Sequence, residues 1–327
     1  MSAEDQVKSF RENLQALRAE IGTVIVGQEE VVTQVLLCLL AGGHAMLEGV
    51  PGLGKTLLVR TLSQCLNLKF SRIQFTPDLM PADIIGTHIV VEDEARRRSF
   101  QFHRGPVFGN VILADEINRA TPKTQSALLE AMQEHAVTVA GTRYPLDEPF
   151  SVLATQNPIE MEGTYPLPEA QLDRFLLKLK VTYPSRDEER SILERMAGGD
   201  VPAVKPIVSI QKIAEVRRLV RDIYMDEKLK TYILDLTMAT REPAQFKLPA
   251  LKPLIAYGAS PRATLALAAT ARALAFLNRR GYVTPEDVKT IGPDVLRHRI
   301  LVSYEAEAEN ITSENIIQTL FEAIEVP

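Results

Sequence analysis

Residues 48–56 read Glu48-Gly49-Val50-Pro51-Gly52-Leu53-Gly54-Lys55-Thr56 and fit the pattern G-x-x-x-x-G-K-S/T. An apolar run that ends in Ala45-Met46-Leu47 precedes them, and an apolar-periodic segment from Leu57 to Leu62 follows, so we expect a strand, a glycine loop and a helix. Glycines let the backbone curl until successive N–H groups point inward, and the helix adds its positive N-terminal end. The stretch predicts a phosphate-binding loop. The alternative is a glycine loop that matches the pattern by chance.

Each side chain of such a loop has an expected task. Lys55 would reach the β- and γ-phosphates of a nucleotide, and the Thr56 hydroxyl would ligate Mg²⁺. The residues predicted to contact the nucleotide here are Gly49, Pro51, Gly52, Leu53, Gly54, Lys55, Thr56 and the following Leu57. Upstream, the glycine of Val26-Gly27-Gln28 would allow the main chain close to a planar ligand such as adenine. A plain helix entry explains the same glycine.

Bulk composition describes an ordinary globular protein. The 327 residues suit two domains or one large domain, and the formal net charge of −5 provides no basic field for nonspecific nucleic-acid binding, although it leaves room for a local basic channel. Two cysteines, Cys38 and Cys65, are expected to be buried reduced thiols, which fits a cytoplasmic protein. The acidic N-terminus shows no signal peptide. Gly42 and Gly43 interrupt the longest apolar stretch, so no membrane span is predicted.

A second motif is Val111-Ile112-Leu113-Ala114-Asp115-Glu116, in which four apolar residues end in two carboxylates. A continuous apolar run is typical of a parallel strand covered on both faces, and ligands of open α/β sheets bind at the carboxyl ends of such strands. Beside a phosphate loop, Asp115 is expected to ligate Mg²⁺, and Glu116 to act as the base that polarises the attacking water. A strand end that enters a helix cap is the alternative. The glycine loop about sixty residues upstream favours the hydrolytic interpretation.

Other polar residues stand where they would touch the same ligand. The strand Phe150–Thr155 is followed by Gln156-Asn157-Pro158, so the amide of Asn157 would lie beside the γ-phosphate and position the attacking water. Arg262 follows Ser260-Pro261 on the first turn of an apolar helix, where the helix dipole disfavours a cation. A bound anion and a plain surface arginine both remain open for Arg262. The run Arg96-Arg97-Arg98 is either a solvated loop tip or a contact to a substrate or partner.

The character of the chain changes at Tyr183-Pro184-Ser185, after which strand signals become scarce. We therefore predict an α/β nucleotide-binding domain with an N-terminal helix over residues 1–184 and a helical domain over 185–327. Apolar periodicity and capping patterns predict the helices of the second domain at 186–196, 209–224, 226–239, 261–278, 284–297 and 313–324.

Together these motifs resemble those of the AAA+ ATPases, and of the MoxR family in particular, over roughly residues 20–325. The residues that carry the resemblance are Val26-Gly27-Gln28, Gly49–Thr56, Phe102-His103-Arg104-Gly105-Pro106, Asp115-Glu116-Ile117-Asn118-Arg119-Ala120, Ala154-Thr155-Gln156-Asn157-Pro158, Leu172-Asp173-Arg174-Phe175 and Ser260-Pro261-Arg262. The resemblance implies a P-loop core, in which helices flank a parallel sheet, with a C-terminal all-α lid domain. It also implies ATP and Mg²⁺ as cofactors.

The same resemblance implies a role for individual residues. Gly49–Thr56 match Walker A, and Asp115 with Glu116 match Walker B. Asn157 matches sensor 1, and Arg262 matches sensor 2 on the lid. Arg174 matches the arginine finger, which in this family acts on the nucleotide of the neighbouring subunit, so a homo-oligomeric ring, a hexamer, is implied. The element at about 88–101 corresponds to the helix 2 insertion and the hairpin near 136–146 to the one before sensor 1, both facing the axis of the ring.

The function implied is ATP-driven, chaperone-like remodelling or maturation of protein complexes, including cofactor or metal insertion. A partner protein with a von Willebrand A domain is expected from the resemblance alone. A DNA-dependent motor is one alternative, which the acidic charge and the lack of a DNA-binding module disfavour. A nucleotide-switched scaffold, in which hydrolysis only resets the assembly, is the other.

Overall fold

Helices and strands alternate along the first part of the chain, as the apolar patterns predict. The helices there are α1 (Ala3–Val24), α2 (Glu29–Ala41), α3 (Lys55–Cys65), α4 (Pro81–Ile85), α5 (Pro122–Glu134) and α6 (Glu169–Leu172). The strands are β1 (Ala45–Glu48), β2 (Phe70–Gln74), β3 (Gly86–Glu92), β4 (Arg98–Arg104), β5 (Val111–Asp115), β6 (Ala136–Val139), β7 (Thr142–Pro145), β8 (Ser151–Gln156) and β9 (Leu177–Lys180). A 3₁₀ turn at Ile117–Arg119 follows β5.

Helices dominate the rest of the chain. They are α7 (Arg186–Met196), α8 (Ile210–Arg221), α9 (Glu227–Ala239), α10 (Pro261–Leu277), α11 (Pro285–Leu296), α12 (Tyr304–Ala308) and α13 (Ser313–Ala323), with 3₁₀ turns at Pro243–Phe246 and Pro249–Leu251. The predicted helices of this region agree with the observed ones to within two or three residues at each end. The short strands β10 (Ile255–Tyr257) and β11 (Leu301–Val302) pair antiparallel and were not predicted, because three and two residues are too few to show alternation.

A computed structural model describes residues 3–92, 98–158, 163–196 and 202–327. No helix within those ranges is long and apolar enough to cross a membrane. The chain forms two compact units. The first spans Met1–Val32, His44–Leu167 and Lys180–Ala214, and the second spans Thr33–Gly43, Pro168–Leu179 and Glu215–Pro327.

The first unit is built on parallel strands. β5 pairs with β2 on one side and with β8 on the other, and β8 also pairs with β1. All five residues of β5 are buried, as expected for a strand covered on both faces. The pairings of Gln74 with Asp115 and of Glu48 with Gln156 bring the carboxyl ends of the four strands to the same edge. The predicted α/β sheet is confirmed, and its functional edge is the one where those strands end.

The division into units differs from the predicted boundary after residue 184. The described residues of this segment, 185–196 and 202–214, belong to the first unit and contact it. Arg195 donates to the carbonyl of Gly22 at 2.5 Å, and the backbone N–H of Ile207 donates to the carbonyl of Cys65 at 2.7 Å. The loss of strand patterning at residue 184 therefore marks the point where secondary structure changes from strands to helices. The residues after it still pack in the first unit.

Two antiparallel hairpins, β3–β4 and β6–β7, project from the first unit. The ring of Phe102 on β4 stacks on the ring of Tyr144 on β7 with centroids 4.0 Å apart, so the two hairpins contact each other. Arg98 forms an ion pair of 3.4 Å with Glu92 across the end of β3–β4. Arg96 and Arg97, the rest of the predicted arginine run, lie outside the described residues.

The two thiols should be unreactive in the native protein. Cys38 and Cys65 are both fully buried, and burial raises the pKa of Cys38 to about 12 and that of Cys65 to about 11. Since the thiolate is the reactive form, an aromatic disulfide reagent at pH 8 should release no chromophore from the folded chain and two equivalents after denaturation. A thiol that reacts rapidly before unfolding would contradict this burial.

Candidate functional site

The loop after β1 adopts the backbone conformation that its glycines were expected to allow. Gly52 has φ of 86°, and Gly54, the N-cap of α3, has φ of 74°, both in the left-handed region. Gly49 is crowded, because a Cβ at this position would lie 2.6 Å from the carbonyl oxygen of Val181. The loop therefore needs glycine at three places. It ends at the N-terminus of an eleven-residue helix, where backbone N–H groups can donate hydrogen bonds to an anion.

Lys55 lies against the same loop. Its Nζ donates to the carbonyls of Gly49 at 2.5 Å and Val50 at 2.9 Å. Burial lowers the pKa of Lys55, and the negative charges of Asp115 and Glu116 oppose that shift. The three charges therefore belong to one electrostatic cluster.

Asp115 is the centre of this cluster. Its Oδ1 accepts from the hydroxyl of Thr155 at 2.7 Å, while its Oδ2 accepts from the Thr56 hydroxyl at 3.5 Å and from Arg72 Nη2 at 2.7 Å. Hydroxyl and carboxylate oxygens are ligands that Mg²⁺ prefers, so Thr56 and Asp115 fit the predicted metal. Three separate elements, α3, β2 and β8, hold this one carboxylate.

Glu116 has a backbone conformation that is uncommon for its type. Its φ is 57°, and its backbone N–H donates to the hydroxyl of Thr155 at 2.7 Å. The Oε2 atom accepts from Gln74 Nε2 at 3.0 Å and from Arg119 Nη1 at 3.0 Å. The carboxylate is thus oriented by side chains from β2 and from the turn after β5, as a positioned base requires.

Asn157 follows β8, the strand that lies between the two motif-bearing strands. It is buried, and its neighbour Gln156 pairs with Glu48 at the end of β1. On the other side, β8 pairs with β5, which ends in Asp115. The strand order therefore places Asn157 at the same edge of the sheet as the phosphate loop and the two carboxylates.

A cavity of about 510 Å³ adjoins the phosphate loop within the first unit. Its lining comes from three separate segments: Val24, Ile25, Val26 and Gln28; Pro51, Gly52, Leu53, Gly54 and Leu57; and Tyr183, Pro184, Glu189 and Ile192. Gln28 Nε2 donates to the carbonyl of Leu53 at 3.1 Å and so joins the first two segments. A mostly apolar cavity of this size beside a phosphate loop suits a planar base.

Gly27 borders this cavity in a way that explains its residue type. Its φ is 66°, and a Cβ there would lie 2.1 Å from Oε1 of Glu188 on α7. The structure thus brings Val26, Gly27 and Gln28 together with α7, which the sequence had not placed at the site. α7 closes the cavity through Ile192.

Arg174 and Arg262, the two remaining predicted residues, lie in the second unit. Arg174 follows α6, and its backbone N–H donates to the carbonyl of Gln171 at 3.2 Å. Arg262 is exposed on the first turn of α10, where its backbone N–H donates to the side chain of Ser260 at 3.1 Å. Ser260 in turn donates to Asp173 at 2.7 Å, so one hydrogen-bonded chain connects the neighbourhoods of both arginines.

Sequence reasoning missed several residues of the site. Arg72 and Gln74 alternate on β2, and local patterning does not show that β2 lies next to β5. Thr155 was noted only as part of a strand. Tyr183 and Ile192 were assigned to a domain boundary and a lid helix. In each case the missing information was the neighbour in space.

Comparison with known proteins supports the fold. The family model described as "ATPase family associated with various cellular activities (AAA)" matches residues 44–177, and the model described as "AAA lid domain" matches residues 250–320. A crystal structure of a protein from Cytophaga hutchinsonii is 47% identical, with a TM-score of 0.94 that covers 100% of this chain and 98% of that chain. The expected AAA+ core with its lid is confirmed.

Relatives with names are similar along most of their length. The protein named Chaperone MoxR1 of Mycobacterium tuberculosis is 47% identical over 94% of this chain and 81% of its own length. The YeaC protein of Bacillus subtilis is 42% identical over 98% of both chains, and the protein named MoxR of Paracoccus denitrificans is 31% identical over 99% of both. The similarity therefore includes both units.

Filling the cavity should weaken nucleotide binding. Ile192→Trp puts an indole into the space beside Leu57, and we expect the affinity for a fluorescent ATP analogue to fall by about tenfold or more, which corresponds to about 1.4 kcal/mol. The adjacent Leu193 is 70% exposed, so Leu193→Trp is a matched control that should bind as the wild type does. Equal affinities of the two variants would show that the base binds elsewhere.

Proposed function

The chain belongs to the MoxR family of AAA+ ATPases, and we propose that it hydrolyses ATP at interfaces between subunits to drive chaperone-like remodelling or maturation of protein complexes. The observation that carries this proposal is the arrangement around Asp115. The Asp115 carboxylate is 3.5 Å from the Thr56 hydroxyl, and the next residue, Glu116, has a carboxylate that Gln74 orients.

Thr56 and Asp115 would hold the metal, and the loop from Gly49 to Thr56 would hold the phosphates. When bound, Mg²⁺ supplies positive charge against the phosphate oxygens. Lys55 places a second positive charge at the loop. Its present acceptors are carbonyls, which it can exchange for phosphate oxygens without moving from the loop.

Glu116 is the proposed general base. Its carboxylate would take a proton from the attacking water, and the Asn157 amide would hold that water in line. Gln74 and Arg119 both donate to Oε2 of Glu116, so they orient the carboxylate. The other oxygen, Oε1, would take up the proton from the attacking water.

Arg174 is the proposed finger that acts on the nucleotide of a neighbouring subunit, and Arg262 is the proposed sensor of the nucleotide bound to its own subunit. A finger acting in this way requires an assembled homo-oligomer, and we propose a hexameric ring. An arginine placed against the transferred phosphoryl group contributes roughly 10³–10⁵ to turnover. The proposed active site is thus shared between two copies of the chain.

The chaperone-like part of the proposal rests on the relative named Chaperone MoxR1 and on the two stacked hairpins. Phe100 on β4 is 79% exposed, and Val90 opposite it on β3 is 56% exposed. Exposed apolar side chains at a hairpin suit contact with a client protein. We propose a von Willebrand A-domain protein as a partner. Capture on the Glu116→Gln variant, which should retain ATP, would identify the client protein.

Removing the base should separate binding from hydrolysis. Glu116→Gln keeps the shape of the side chain but cannot accept a proton, so turnover should fall by about 10²–10⁴ while the affinity for ATP remains. Glu130→Gln on the exposed face of α5 is the control and should hydrolyse ATP at the wild-type rate. Undiminished hydrolysis by the Glu116 variant would remove this residue from the mechanism.

Removing the proposed finger, Arg174, should also abolish turnover while nucleotide binding remains, but for a different reason. Arg174→Ala should keep its own nucleotide, but turnover should fall by about 10³-fold or more, because the nucleotide of the neighbouring subunit then lacks the stabilising charge. Arg190→Ala removes an arginine that is 79% exposed and is the control. Turnover is measured by phosphate release and assembly by light scattering, and an assembled Arg174 variant with normal turnover would disprove the finger.

A further inference from the structure

The second unit contains a buried arginine that holds the loop around Arg174. Arg299 Nε donates to Oδ1 of Asp173 at 2.8 Å, Nη2 donates to the carbonyl of Phe175 at 2.6 Å, and Nη1 donates to the carbonyl of Leu176 at 3.1 Å. The carbonyl of Asp173 also accepts from Nη2, at 3.3 Å. Burial lowers the pKa of Arg299 to about 10, so the guanidinium stays charged at neutral pH. One side chain thus fixes the backbone on both sides of Arg174.

The two residues before Arg299 bind the same segment. Arg297 Nη1 donates to the carbonyl of Lys178 at 2.7 Å, and Nε2 of His298 lies 3.0 Å from the carbonyl of Phe175. Because a carbonyl only accepts, Nε2 carries the proton of a neutral ring. Burial lowers the pKa of His298 well below its ordinary value. The whole segment after α6 is therefore fastened to the end of α11.

Asp173 has a second oxygen, and this one faces α10. Ser260 Oγ donates to Oδ2 of Asp173 at 2.7 Å, and the same Oγ accepts from the backbone N–H of Arg262 at 3.1 Å. The hydroxyl therefore has two roles, as the N-cap of α10 and as a donor to the loop that carries Arg174. The positive charge of Arg262 also lies close enough to oppose protonation of Arg299.

We propose that Ser260 is a positioning residue for Arg174: through Asp173 it joins the first turn of α10, which carries Arg262, to the loop that Arg299 holds. The state of the nucleotide contacted by Arg262 would then reach the arginine that acts on the next subunit. This inference rests on the roles of Arg174 and Arg262 in the proposed function. A plain helix cap at Ser260 is the competing explanation.

Three substitutions at one position separate the two explanations. Ser260→Thr keeps the hydroxyl, and Ser260→Ala removes it. Ser260→Asp caps a helix as well as serine does but sets a carboxylate against Asp173. We expect turnover to fall by roughly 10- to 100-fold in the alanine and aspartate variants, as for a displaced catalytic group, and to recover in the threonine variant. Affinity for a fluorescent ATP analogue should stay within about twofold, because the displaced arginine acts on another subunit.

A second readout follows the loop itself. Backbone hydrogen exchange at residues 173–176 should accelerate in the alanine and aspartate variants and stay at the wild-type rate with threonine, because exchange reports local opening. Ser303→Ala removes the N-cap of α12, where the Ser303 hydroxyl accepts from the backbone N–H of Ala306 and donates to the carbonyl of Pro253, and it should change neither readout. If Ser260→Asp turns over and exchanges like the wild type, the residue is a cap only and the inference is overturned.

Subunit mixing locates the defect. A Lys55→Ala subunit cannot use its own nucleotide but can offer an intact finger. Mixed with Ser260→Asp, it should raise hydrolysis above the sum of the two separate rates. Arg174→Ala mixed with Lys55→Ala is the positive control. Failure of that control rejects the finger acting on a neighbour, and hence the proposed function. Rescue in the control without rescue of Ser260→Asp rejects only the inference about Ser260.

Discussion

The packing of the first unit depends on the hydrogen bonds that compensate the buried carboxylate of Asp115. A buried charge must be compensated, and Asp115 obtains its partners from β2, β8 and α3, so its satisfaction fixes how those elements approach one another. The Thr155 hydroxyl both donates to Asp115 and accepts from the backbone of Glu116. Through this one hydroxyl, the strand that leads to Asn157 also orients the residue after β5. The register of the sheet and the geometry of the proposed catalytic residues therefore depend on the same hydrogen bonds.

The sequence predicted those features of the structure that short local patterns encode. The glycine loop, the apolar run that ends in Asp115 and the capped helices of the second unit each show within about fifteen residues, and each was observed. The partners of those motifs were not predictable in this way. Arg72 and Gln74 matter only because β2 lies beside β5, and strand order depends on the whole chain.

The cavity beside the phosphate loop shows a second limit of local patterning. Helix α7 was predicted with its observed bounds, but the predicted boundary after residue 184 groups it with the lid, whereas the structure groups it with the first unit. The composition of the chain changes where the strands end, and packing need not change at the same residue. Glu188 on α7 lies close to Gly27, since a Cβ at residue 27 would be 2.1 Å from Oε1 of Glu188, and Arg195 on the same helix donates to the carbonyl of Gly22. No local pattern in the sequence predicts either approach. The space available at a glycine depends on side chains that are distant in the sequence, so it can be read only from the folded chain.

The link between Asp173 and Ser260 follows from hydrogen-bond satisfaction. The loop after α6 is irregular, so its carbonyls at Asp173, Phe175 and Leu176 lack helical or strand partners, and buried carbonyls need donors. A guanidinium offers five donors in a fixed fork, which explains why an arginine and not an apolar side chain is buried at residue 299. Its charge then requires a nearby carboxylate, since a buried unpaired cation is costly. Asp173 meets that need with one oxygen, and the other is left to accept from α10. The connection between the two arginines is thus a consequence of fixing the loop.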